Sequence, residues 1–126
     1  MSKLALPRNT TRQTEAILYG DLARRIHRIS GVIIILFVLV HVVVQAVNHV
    51  PMFGAAKMAA PWLKPLQEQI WIHAMLLFAV VFHTLHGLKL LAGELGFSID
   101  YKTSFWIVAV ISMLFAIREV LRYAGV

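Results

Sequence analysis

Long stretches without charge constrain the fold of this chain most. If histidine is counted as neutral, no charged residue occurs in residues 29–56, 70–88 or 103–117. A backbone in lipid must satisfy its hydrogen bonds internally, so it crosses as a helix or a closed barrel. Long apolar runs without alternation favour helices. We therefore predict an all-α integral membrane bundle of three transmembrane helices. These helices would cover about residues 29–50, 70–92 and 103–121.

Composition excludes several other classes of protein. Of the 126 residues, 60% are hydrophobic and 14% are charged, unlike an ordinary soluble domain or a disordered chain. The absence of cysteine excludes a disulfide framework and a thiolate metal site. The net charge of +6 is compatible with nucleic acid, but the chain has no long basic soluble stretch to bind it. We therefore expect the lipid bilayer as a partner, and no nucleic acid.

The distribution of basic residues predicts the orientation. Half of the 12 Lys and Arg residues precede Ile29, and Lys89 and Lys102 flank the second connection. The positive-inside rule then places the N-terminus and this connection in the cytoplasm. We predict a cytoplasmic segment over residues 1–28, with a short helix over 13–27, and a transmembrane domain over residues 29–126. The expected location is the bacterial cytoplasmic (inner) membrane, with several crossings.

Histidines are the main chemical signal. All 6 lie in or beside the first two predicted spans. They are His27, His41, His49, His73, His83 and His86. Ionisable residues inside a membrane are costly, and they indicate function by default. Neutral imidazole is a good ligand of haem iron. His49 lies near the membrane boundary, and His73 is either interfacial or a rival to His41 as an outer ligand.

The depths of the histidines favour two separate sites. His41 lies about 18 Å and His83 about 9 Å from the inner boundary of the membrane. The two ligands of one iron must face each other at the same height, so this mismatch favours one haem at each histidine. Each haem would then need a ligand from another chain. Gly31 and Gly87 would let a haem or a neighbouring helix approach. The competing interpretation is that these histidines only join helices by hydrogen bonds.

Basic residues near the inner boundary have two possible roles. Arg24, Arg25 and Lys89 are placed to pair with haem propionates, and they also fit as simple membrane anchors. His86 is a further candidate for a propionate contact, or for a hydrogen bond to a neighbouring helix.

Two motifs resemble a known family. The sequence His-Arg-Ile-Ser-Gly at 27–31 and the His and Gly at 83 and 87 resemble the cytochrome b membrane-anchor subunit of succinate dehydrogenase and fumarate reductase. The resemblance covers roughly residues 24–96, with both motifs in the family's order. The chain departs from the family pattern at four positions. Arg24 replaces Ser, Lys89 replaces Arg, Leu90 replaces His and Glu94 replaces Asp.

The resemblance implies roles for individual residues. It implies that His83 is an axial ligand of haem b, and that His41 is a ligand of a second haem, as in two-haem members. It also implies that His27, Arg28 and Ser30 border a quinone site, where His27 could instead orient a propionate. One or two haems would be shared with a partner subunit.

The same resemblance implies an activity. A flavoprotein subunit would oxidise succinate, an iron–sulfur subunit would relay the electrons, and this chain would help to pass them to quinone. The chain would be a non-flavin subunit of the enzyme that is not catalytic alone. Its membrane partner would be a second anchor subunit or another copy of itself. The alternatives are a cytochrome b anchor of another respiratory dehydrogenase, or a haem-free membrane assembly protein.

Overall fold

Three long helices dominate the computed structural model, which describes residues 8–126. They are α1 (Arg8–His49), α4 (Ile70–Glu94) and α5 (Tyr101–Tyr123). Two short helices, α2 (Gly54–Ala59) and α3 (Leu63–Gln67), lie between α1 and α4, after a 3₁₀ turn at Pro51–Phe53. No strand occurs within residues 8–126. By length and composition, each of the three long helices can cross a membrane, which confirms the predicted all-α membrane bundle.

The first helix begins well before the predicted boundary at residue 29. It has 42 residues and is therefore about 63 Å long, twice the thickness of a hydrocarbon core. The helix predicted over 13–27 forms, but it is continuous with the membrane span because no proline interrupts it. Positions 1–7 of the predicted cytoplasmic segment 1–28 lie outside the described residues. They include Lys3, one of the basic residues on which the predicted orientation depends.

Proline and glycine explain where the helices end. Val50 precedes Pro51 and is extended (φ −97°, ψ 116°), which ends α1 at His49. At the other face, α4 ends because Gly96 adopts a left-handed conformation with a φ of 92°. There the amide of Phe97 donates to the carbonyl of Ala92 at 3.0 Å, a Schellman arrangement.

The packing centre lies in the inner half of the bundle, where α4 contacts both α1 and α5. Ala23, Phe82, Phe105 and Val108 form the buried cluster. The rings of Phe82 and Phe105 meet edge to face at 6.3 Å. Small side chains on α5 allow this close packing. The fully buried Ser112 hydroxyl donates to the Val108 carbonyl within the helix.

Most large apolar side chains point outward. Val32, Leu36 and Leu114 are 57%, 58% and 59% exposed, for example, and each lies in a membrane-length helix. Exposed apolar surface on this scale is unfavourable in water and favourable in lipid. The few buried positions therefore identify the side of each helix that packs against the other helices.

Candidate functional site

Three imidazole rings meet between α1 and α4, in the inner half of the bundle. The ring of His27 stacks on the ring of His83, with centroids 4.0 Å apart and planes 6° apart. The ring of His86 is tilted against His27 at 5.2 Å. The predicted inner site is therefore assembled from both helices, although His27 is more than fifty residues from His83 and His86 in sequence.

Backbone geometry orients His83. Its Nδ1 lies 3.1 Å from the carbonyl oxygen of His27 and 3.3 Å from the hydroxyl of Ser30. A carbonyl only accepts, so Nδ1 carries the proton and donates it. The hydroxyl of Ser30 donates to the same carbonyl at 2.8 Å. This tautomer leaves the lone pair of the other ring nitrogen, Nε2, for a metal ion.

Gly31 makes room for the ring of His83. A Cβ atom at this position would lie 3.0 Å from Cε1 of His83 and 3.4 Å from Nδ1. Such a contact is tighter than ordinary van der Waals packing, so the ring reaches its position beside α1 because residue 31 has no side chain. The predicted close approach at Gly87 is looser, since a Cβ there would lie 3.7 Å from His27.

His86 is the most buried histidine, with 1% of its surface exposed. Its ring stacks on Phe82 at 5.9 Å. Its Nε2 and the Nδ1 of His27 are buried and have no hydrogen-bond partner among residues 8–126. Buried polar atoms normally have partners, so these two nitrogens are available for a hydrogen bond to a further polar group.

The predicted basic residues divide into two groups. The Nζ atom of Lys89 lies 3.3 Å from the ring centre of Tyr101, a cation–π contact that holds it at the inner end of the bundle. In contrast, Arg25 donates to the carboxylate of Asp21 at 2.9 Å, and Arg24 lies 4.0 Å from the same carboxylate. Their side chains are 73% and 62% exposed and stand outside the histidine cluster. Arg28 is also exposed.

His41 lies apart from this cluster. It is exposed, its ring stacks on Phe37 at 5.7 Å, and it lines a cavity of about 330 Å³ near the outer end of the bundle. His73 lines the same cavity. The structure therefore keeps His41 and His83 in separate places, as their depths predicted.

Sequence reasoning missed the partners that depend on tertiary contacts. No feature of the sequence near Lys89 predicted its contact with Tyr101. Likewise, the sequence did not predict that Lys64 and Gln67 of the outer connection line the cavity beside His41. The ion pair between Asp21 and Arg25 could be predicted from the sequence, because residues four apart are neighbours on a helix.

The residues present fit a haem better than a bare metal ion. Within residues 8–126, no group of three or more His, Asp or Glu side chains is arranged to hold a metal. A haem needs only one protein ligand on each side of its iron, and the ring of His83, held by the His27 carbonyl, fits that role.

Comparison with known proteins identifies one match. The sequence model of a family described as the succinate dehydrogenase/fumarate reductase transmembrane subunit matches residues 10–117. No curated protein and no solved structure gives a significant match to the chain.

Proposed function

Because the chain belongs to the family of succinate dehydrogenase/fumarate reductase transmembrane subunits, we propose that it binds haem b through His83 and helps to pass electrons to quinone. Membership makes the chain a multi-pass membrane subunit of an oxidoreductase complex with soluble catalytic subunits. The haem, the quinone site and the electron path are our proposals. The observation that carries them is the hydrogen bond from Nδ1 of His83 to the carbonyl of His27.

The orientation of His83 supports its role as an axial ligand. Ligating histidines usually donate the other ring nitrogen to a carbonyl or carboxylate, which fixes the tautomer and raises ligand basicity. The His27 carbonyl and the Ser30 hydroxyl provide that support here. When bound between two imidazoles, a haem supplies one-electron transfer without an open position for oxygen. The opposite ligand would come from a second anchor subunit or from another copy of this chain.

Residues at the inner end of the bundle are candidates for binding quinone and the haem propionates. We assign the quinone contact to His27, Arg28 and Ser30. The exposed guanidinium of Arg28 can polarise a quinone oxygen that approaches from the adjoining subunit. We assign the propionates to Lys89 and His86, whose Nζ and Nε2 atoms are buried without a hydrogen-bond partner among residues 8–126. Arg24 and Arg25 face outward and pair with Asp21, so we assign them to the surface that meets the soluble subunits.

A second haem at His41 completes the proposal. His41 lies in a separate cavity towards the outer membrane boundary, so electrons could reach that side of the bilayer in steps. We propose that the soluble partners are a flavoprotein and an iron–sulfur protein that dock at the cytoplasmic segment 1–28. The membrane would be the bacterial cytoplasmic membrane. Residues 29–126 would form the haem-binding domain.

The test is the optical spectrum of the purified complex. Reduced-minus-oxidised spectra should show b-type haem, and His83→Ala should remove about half of it if two haems are bound, or all of it if one is bound. Thr84→Ala is the control, because that exposed residue follows His83 on α4 and does not line the cavity beside His41. Unchanged absorbance of b-type haem in His83→Ala would show that His83 is not a haem ligand. A purified complex without haem would instead indicate a membrane assembly protein.

Mass spectrometry of the native complex tests the partners. Copurification of a flavoprotein and an iron–sulfur protein with this chain is the expected result. A hydrogenase or formate dehydrogenase subunit in their place would instead support a cytochrome b anchor of another respiratory enzyme.

A further inference from the structure

Two arginines lie on the exposed surface of α5 near its C-terminal end. Arg118 and Arg122 are four residues apart, so they are neighbours on one side of the helix, about 6 Å apart along its axis. We call them the α5 arginine pair. The predicted orientation places this end of α5 outside, where the positive-inside rule gives basic residues no role. Their presence there needs another explanation.

The described chain provides no acidic partner for this pair. Neither guanidinium forms an ion pair or a hydrogen bond within residues 8–126. Glu119 is half-buried and lines a cavity of about 240 Å³ with His73 of α4. The carboxylate of Glu68, at the same end of the bundle, lies 4.0 Å from the ammonium of Lys64 instead. Two neighbouring cations are therefore available to an anion from outside the chain.

The depth of Arg118 indicates where this anion lies. The hydroxyl of Tyr123 donates to the carbonyl of Glu68 at 3.1 Å, which brings the end of α5 close to the level at which α4 begins, at Ile70. Arg118 precedes Tyr123 by five residues and is about 7.5 Å nearer to the centre of the bundle. An unpaired charge is costly at that depth, and a long side chain there extends to the layer of lipid headgroups. The anions of that layer are phosphates.

The surface below the pair is apolar over the depth of one leaflet. At about 100° per residue, Leu114 and Ile107 lie within about 40° of Arg118 around the helix. Their side chains are 59% and 53% exposed. From Arg118 to Ile107 the helix rises about 16 Å, close to half the thickness of a hydrocarbon core. A ligand that matches this face combines an anion with a long apolar chain.

We propose that the α5 arginine pair binds the phosphate of one phospholipid, whose acyl chain lies along Leu114 and Ile107. Guanidinium groups form bidentate hydrogen bonds with phosphate, and two of them four residues apart can hold one phosphate between them. An ethanolamine headgroup adds an ammonium, which the pair repels, so the face selects a phospholipid of net negative charge. This assignment is independent of haem and quinone.

The experiment counts the lipids that the purified complex binds. The complex is incubated in detergent with equal amounts of phosphatidylglycerol and phosphatidylethanolamine, and native mass spectrometry measures the bound lipids over a series of concentrations. The unaltered complex should bind phosphatidylglycerol preferentially. The double variant Arg118→Gln/Arg122→Gln should bind one phosphatidylglycerol fewer per copy of this chain, until the lipid concentration is raised about tenfold.

Lys57→Gln is the matched control, because it removes one exposed positive charge from α2, at the same end of the bundle. It should bind lipids as the unaltered complex does. Subunit composition and circular dichroism show that each variant has assembled. If the double variant does not assemble, Arg122→Gln alone is the test, because that exposed residue lies in the last turn of α5.

Each outcome decides the assignment. Loss of one phosphatidylglycerol in the arginine variant but not in Lys57→Gln would support it. Equal binding by these variants would show that the pair meets only water, and the assignment would be wrong. It would also be wrong if the arginine variant kept its lipids and lost a copurifying membrane subunit, because the pair would then contact an acidic protein.

Discussion

Residue 31 is where a single methyl group would disturb the inner site most directly. A Cβ atom there would lie 3.0 Å from Cε1 of His83, the carbon next to the proposed iron-binding nitrogen. Gly31→Ala should therefore displace the ring and stretch its hydrogen bond to His27. Changes to the groups that orient a ligand typically weaken metal affinity, so we expect haem affinity to fall by about tenfold. Haem retention during dilution in detergent measures this.

Another glycine provides the control for this substitution. A Cβ atom at Gly93 would meet nothing within 4 Å. Gly93→Ala should therefore retain haem as the unaltered chain does. Equal retention in Gly31→Ala and Gly93→Ala would mean that the ring of His83 is not confined by α1.

At the same scale, the sequence was informative about which residues meet and less so about their orientation. The motif at 27–31 and the histidine at 83 were singled out by sequence for different roles, and the structure brings His27, Ser30 and His83 into contact. The outward direction of Arg24 and Arg25 follows from how α1 rotates against α4 and α5. That rotation is decided by contacts such as the burial of Ala23, which no local pattern of charge reveals.

At the scale of the helices, the polar first half of α1 is held by α5. The ring of Tyr19 lies 5.7 Å from that of Phe105. Beyond it, the ammonium of Lys102 donates to the carboxylate of Glu15 at 3.1 Å. Hydropathy predicted the three spans, but it could not predict this continuous extension, because contacts between distant residues support it rather than lipid.

Removing the Tyr19 ring should loosen this extension. An aromatic pair contributes about 0.5–1.5 kcal/mol. Tyr19→Ala should therefore raise, by about two- to tenfold, the fraction of molecules in which the first half of α1 has separated from α5. Cleavage by trypsin after the exposed Arg24 and Arg25 should accelerate accordingly in membranes open at that side. Leu18→Ala is the control, because Leu18 is 64% exposed. Equal cleavage of the two variants would show that the ring of Tyr19 does not hold the first half of α1 against α5.

The start of α5 should be sensitive to acid. The carboxylate of Asp100 accepts from the amide of Thr103 at 3.1 Å and from its hydroxyl at 3.0 Å. Above all, the backbone hydrogen bond lowers the pKa of Asp100 below its ordinary value. Because the folded state favours the charged form, its contribution to stability is present above the unfolded pKa of about 3.9 and is lost as the pH falls through the folded pKa.

Asp100→Ala tests this capping interaction. The variant should unfold at a slightly lower temperature than the unaltered chain near neutral pH, and the difference should shrink below about pH 4. Thermal unfolding in detergent at a series of pH values measures it. Asp21→Ala is the control, since Asp21 lies within α1 and only pairs with exposed arginines. A difference that does not change with pH would show that the Asp100 carboxylate does not stabilise the helix.

At the scale of the whole molecule, the three helices leave their functional side open. The cluster of His27, His83 and His86 involves both α1 and α4, and so does the cavity beside His41. The side chain of His41 remains exposed. Three helices do not surround a haem, so the second anchor subunit or copy that we propose would complete both sites. Length and hydropathy predicted the number of membrane-length helices, whereas the shared use of α1 and α4 required the packing of the whole bundle.

Charge predicts the orientation of the bundle, and the absence of cysteine lets cysteine labelling test that prediction. Leu18 and Met58 are 64% and 85% exposed and lie beyond opposite ends of the membrane-spanning region. In right-side-out vesicles, a membrane-impermeant maleimide should label Met58→Cys at once and Leu18→Cys only after permeabilisation, because basic residues are retained in the cytoplasm. The unaltered chain should remain unlabelled. The reverse order would invert the assignment, placing the inner histidine cluster and its proposed quinone site at the outer face of the membrane.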